Sequence, residues 1–151
     1  MFGLKTRTTY RSSLLRTHVL KNAGNKMSTI KTLTGIDFDY INPTIDMYNI
    51  KDVAYGLSYE KRYGNQTNPL FSVGKHSLFV SYLMERFDGK DNQNMNAFAG
   101  LIHDLSEYLL RDLPAGVKHL DLLAGYRTLE NTIQEVGYQA FGVDKTKVLN
   151  L

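Results

Sequence analysis

The chain has no cysteine, no tryptophan, three prolines and only four histidines in 151 residues. Without cysteine there can be no disulfide, no thiolate metal site and no thiol nucleophile, so any metal must be held by His, Asp or Glu. The histidines are His18, His76, His103 and His119. No apolar run approaches the roughly 20 residues that cross a bilayer; the longest lies around Leu78 to Met84. The expectation is a cytoplasmic protein with no membrane contact. Acids are missing from the first 36 residues, where Lys5, Arg7, Arg11, Arg16, Lys21, Lys26 and Lys31 stand alone, and all 15 follow later. The positive balance is therefore local. Residues 1–30 read as a basic, flexible tail, with a targeting segment or a nucleic-acid-binding arm as alternatives, and residues 31–151 as one domain. That domain offers no basic face or aromatic platform, which argues against nucleic acid as a partner. Its hydrophobic content of 42% and charged content of 22% are ordinary for a globular chain.

What is present is helical periodicity. After a looped lead-in, Asn49 with Asp52 three residues on resembles a helix cap, and Ile50, Val53, Ala54 and Leu57 recur at helical spacing, predicting a helix from about Ile50 to Tyr63. "GNQTNP" is turn chemistry. Ser72 caps a second predicted helix, with Val73, His76, Val80, Leu83 and Phe87 on one stripe. A polar loop over 88–94 leads to a third helix, from about Met95 through Leu110, closed by Pro114 and Gly116. A fourth spans roughly 119–141, with Leu122, Tyr126, Leu129, Ile133 and Val136 at steps of three and four. The fold class expected is all-α, a compact domain of four to five helices.

Two of these helices aim polar groups inward. His76 lies on an apolar seam, and His103 and Asp104 sit in the apolar middle of "LIHDLSEYLL". A buried carboxylate without a partner costs several kcal/mol, whereas a divalent cation favours its charged form. Imidazole nitrogen and carboxylate oxygen suit first-row transition metals. On a regular helix His103 and Asp104 splay by about 100°, so they would reach one ion only across a groove, with His76 as a third ligand. Glu107, one turn after His103, is placed for general acid or base work. Asp112 stands where the chain turns, as a proton donor or a loop cap.

With these residues assembled, the chain resembles the HD-domain metal-dependent phosphohydrolases, from about Thr32 to Gly142, and within them the bacterial 5′-deoxynucleotidases and phage HD hydrolases. "SVGKHS" carries a histidine 27 residues before the HD pair, and HD, SE, DLP and VK follow in order in "LIHDLSEYLLRDLPAGVK". The resemblance implies that His76, His103 and Asp104 bind one divalent transition metal (Mn, Co, Fe or Zn), that Glu107 activates water, and that Asp112 donates a proton near the scissile phosphate. Arg62 in "YEKRYGNQ" would clamp a phosphate, with Lys118 adding positive charge. The activity implied is hydrolysis of the 5′-phosphate of a deoxynucleoside monophosphate. The alternatives are triphosphate hydrolysis and a truncated or non-catalytic module that binds a nucleotide or a partner. Homo-oligomers and a bacterial or phage-infected cytoplasm also fit the resemblance. The family has a fourth ligand, an aspartate well downstream. Neither Asp121 nor Asp144 stands at that spacing, which predicts a domain short on its C-terminal side.

Overall fold

The computed structural model describes residues 28–87 and 93–144. The basic segment up to Met27 and most of the polar loop lie outside them. The last residues assigned to the tail are instead ordered: β1 (Thr29–Lys31) pairs antiparallel with β2 (Asp37–Asp39), with Ile30 opposite Phe38. This hairpin exists because Phe38, fully buried, packs edge-on against Tyr48 and Tyr108. Asp52 fixes it to the first helix by accepting both the amide of Thr34 at 2.8 Å and its hydroxyl at 2.7 Å.

Most of the rest of the described chain is helical: α1 (Ile50–Tyr59), α2 (Val73–Phe87), α3 (Gln93–Leu101), two single turns α4 (Glu107–Leu110) and α5 (Ala115–Lys118), and α6 (Ala124–Ala140). The all-α class expected from periodicity holds. Asn49 caps α1 as expected, accepting the Lys51 amide at 2.9 Å, but Asp52 is spent on the hairpin rather than on the cap. The helix stops at Tyr59, short of the expected Tyr63. Glu60 turns extended, and residues 60–62 pair with 71–73 instead: Arg62 N donates to Phe71 O at 3.0 Å and Val73 N to Glu60 O at 2.9 Å. This clasp seats Arg62 beside the start of α2, where Ser72 Oγ accepts the Lys75 amide as the expected cap.

The buried line of α2 is Val73, Ser77 and Met84, with His76 half-buried at its edge. In α6 the buried residues are Ile133, Gly137 and Tyr138, whereas Leu122, expected on the stripe, is exposed in the 3-10 turn before the helix. Val53, Leu57, Ala99, Ile102 and Leu105 join Val73, Met84, Ile133 and Tyr138 in one core. The largest departure is the third helix. It begins at Gln93 and breaks after Leu101, and residues 102–106 form tight turns before α4 resumes.

Close packing of α1 on α4 depends on Gly56, where an added Cβ would lie 2.7 Å from Tyr108 Cβ and 2.9 Å from its carbonyl oxygen. Alanine inside a helix normally gains about 1 kcal/mol over glycine. Here Gly56→Ala is expected to lose about 1–3 kcal/mol, because backbone cannot yield to it. The midpoint of denaturant unfolding gives the sign.

Candidate metal centre

The break in the third helix is what assembles the site. Leu105 N bonds to Ile102 O at 3.0 Å and Glu107 N to Asp104 O at 3.1 Å, three-residue steps in place of helical four-residue ones. The resulting turn brings neighbouring side chains together: His103 Nε2 lies 3.0 Å from Asp104 Oδ2. His76, from the edge of α2, places its Nε2 3.1 Å from His103 Nε2 and 3.5 Å from the same carboxylate oxygen. Among the described residues, these three form the one group of acids and histidines close enough to share an ion, with all ligand atoms within 4.8 Å of one another. Their side chains keep 16–24% of their surface open.

The donor set fits a cation. His103 Nδ1 stands 2.8 Å from the carbonyl of Gly100, which can only accept, so that nitrogen carries the proton and Nε2 of the neutral ring is a bare lone pair. It faces a second imidazole nitrogen and a carboxylate oxygen. With His76 in the tautomer that also bares Nε2, three acceptors meet at one point and repel unless a proton or a metal ion lies between them. Burial is the strongest influence on both rings and opposes charge. It holds His76 below the usual histidine value, while at His103 the hydrogen bond and charge of Asp104 outweigh it and raise the ring. Asp104 is held below the ordinary carboxylate value: its burial acts against this, but the His103 hydrogen bond and the His103, Arg62 and His76 charges overcome it.

Around this cluster the other expected residues take distinct places. Arg62 Nη1 contacts Asp104 Oδ2 at 3.0 Å, and its buried Nε has no acceptor. Glu107 opens α4, buried, with Oε2 unpartnered; burial, with Asp104 and Asp112 adding, pushes its carboxyl up to about 8. Lys118 is drawn onto acids: its Nζ lies 2.7 Å from Glu130 Oε1 and 3.7 Å from Glu107 Oε1. Asp112 Oδ2 accepts the Tyr63 amide at 3.3 Å, which ties the loop after α4 to the segment that carries Arg62. Arg111 before it sits at φ 77°, held by Glu60 at 3.0 Å through its guanidinium and by Tyr126, whose hydroxyl donates to Leu110 O and Arg111 O. His119 is exposed, and His18 lies outside the described residues.

Several supporting residues are not singled out as site residues by the sequence: Glu60, Glu130, Gln134 and Tyr138. Gln134 Oε1 accepts the Ser106 amide at 2.7 Å and its Nε2 donates to Ile102 O at 2.9 Å, while Tyr138 Oη donates to His103 O at 3.1 Å. Their only signal is a polar pair four residues apart beside Ile133.

No protein-family model matches the chain. The uncharacterized protein YfdR of Escherichia coli is 32% identical over 118 residues, which cover 78% of this chain and 60% of the relative. An uncharacterized protein of Rhodobacter capsulatus is 31% identical over 115 residues, 75% of this chain and 58% of the relative. A 5′-deoxynucleotidase of Vibrio atlanticus is 32% identical over 74 residues, 42% of this chain and 38% of that protein. The chain thus spans about three fifths of the length of the first two, and its likeness to the nucleotidase is partial. No helix among the described residues is long and apolar enough to cross a membrane.

Proposed function

We propose that this chain is an HD-type, metal-dependent phosphohydrolase that cleaves the 5′-phosphate ester of a deoxynucleoside monophosphate. The observation that carries the reading is the convergence of His76 Nε2, His103 Nε2 and Asp104 Oδ2 with the Arg62 guanidinium against the same carboxylate. The partial likeness to a 5′-deoxynucleotidase supports the substrate class. A divalent transition metal held by the three ligands would act as a Lewis acid toward a phosphoryl oxygen and make water more acidic.

The chain's own residues then divide the work. Arg62, whose guanidinium already stands against the Asp104 carboxylate, would bind phosphate oxygens and partly neutralise them. Glu107, carrying an unpartnered oxygen, orients the attacking water and takes its proton once ionised, a form that a bound cation nearby would favour over the protonated one held in the metal-free protein. Asp112, anchored through Oδ2 on the Tyr63 amide, supplies a proton to the departing 5′-oxygen. Lys118 contributes positive charge beside Glu107 and would reach the phosphate only by leaving Glu130.

The test is phosphate release from deoxynucleoside monophosphates, with the triphosphates alongside, in Mn²⁺, Co²⁺, Mg²⁺ or Zn²⁺. Inorganic phosphate released from the monophosphate and abolished by EDTA is the expected result. Release of tripolyphosphate would move the substrate to the triphosphate, and no turnover with any metal would overturn the enzymatic reading.

A further inference from the structure

In an α-helix the Ser106 amide would donate to the carbonyl of Ile102, four residues back. That rung is missing, and the side-chain amide of Gln134 occupies it: Oε1 takes the Ser106 N–H at 2.7 Å and Nε2 satisfies Ile102 O at 2.9 Å. A side chain inserted into the helical ladder is a recognised cause of a break. Tyr138, one turn later on α6, accommodates the next displaced group by donating to His103 O at 3.1 Å. Between them Gly137 lets α6 approach this closely, since a Cβ there would stand 2.5 Å from Leu105 Cδ2 and 3.1 Å from Tyr48 Cε1. The backbone at both ends of the His103–Asp104 turn is thus bonded to one face of α6.

We infer that Gln134 is a positioning residue for the metal centre: its amide holds the third helix open so that His103 and Asp104 point at one place. This rests on the metal-site reading above. If the amide is removed, the Ser106 to Ile102 rung can close, the helix runs on, and the two ligands rotate apart toward the roughly 100° separation of consecutive helical residues. Gln134→Met keeps the volume and removes both hydrogen bonds. Ile133→Val, at the buried neighbour on α6, weakens packing without touching the turn's backbone and serves as the control.

The experiment is Mn²⁺ titration of the wild-type chain and both variants, with backbone ¹³Cα shifts of residues 102–106 read in the metal-free protein. Gln134→Met is expected to weaken Mn²⁺ about 10- to 100-fold and to move those shifts toward helical values, with Ile133→Val near wild type in both. Tyr138→Phe, which removes one bond to the turn, is expected to weaken Mn²⁺ a few-fold and covers the case in which Gln134→Met does not fold. Equal affinity and unchanged shifts in Gln134→Met would overturn the inference while leaving the metal site intact. A wild-type chain that takes up none of Mn²⁺, Co²⁺, Fe²⁺ or Zn²⁺ would instead overturn the metal site and, with it, the positioning role.

Discussion

Replacing His103 with alanine is expected to abolish metal uptake and, with it, phosphate release. His103 Nε2 is at the centre of the cluster, 3.1 Å from His76 Nε2 and 3.0 Å from Asp104 Oδ2, and its tautomer is set by the Gly100 carbonyl. Loss of an outer partner alone typically costs 10- to 100-fold in metal affinity, so loss of this ligand should exceed about 100-fold. The fold should survive, because the ring lies on the rim of the core rather than in it. Mn²⁺ binding by calorimetry, with circular dichroism to check helicity, measures both. Unchanged metal content in the variant would refute the ligand assignment.

Glu107→Gln should separate chemistry from binding. A side chain that takes a proton from water in the transition state contributes about 10²- to 10⁴-fold. The variant is therefore expected to lose turnover by that factor while Mn²⁺ affinity stays within a few-fold of wild type. The same substitution has a consequence for stability. With the folded carboxyl pushed up to about 8 from 4.5, the native state holds its proton where the unfolded chain has released it. The metal-free wild type should therefore lose stability relative to Glu107→Gln as pH rises from about 4.5 through 8, by at most about 1.4 kcal/mol per pH unit. Below that window the two should run parallel. Urea unfolding of both proteins at a series of pH values reads the difference directly.

The sequence carries the helical class, because apolar residues at three- and four-residue steps are a local signal and α1, α2 and α6 are long enough to show it. It also carries the candidate ligands, since histidine and aspartate among leucines are conspicuous. It does not carry the way they meet. On the expected unbroken helix His103 and Asp104 diverge, and the turn that unites them is held by Gln134 and Tyr138, about thirty residues away and typical of any helix surface. Leu122 fails as a core residue for a related reason: the helical spacing continues through it, but the helix begins two residues later at Ala124. The hairpin at Thr29–Asp39 was equally illegible, because three-residue strands have too little alternation to register and depend on Phe38 finding Tyr48 and Tyr108.

The proposed centre is a divalent ion held by two imidazoles and one carboxylate. Its most direct test is equilibrium dialysis of the 151-residue chain against Co²⁺, followed by elemental analysis and proton NMR. One Co²⁺ per chain and two strongly shifted, exchangeable imidazole N–H signals, from His76 and His103, are expected. Absence of stoichiometric Co²⁺, or a bound ion with no shifted imidazole protons, would contradict it.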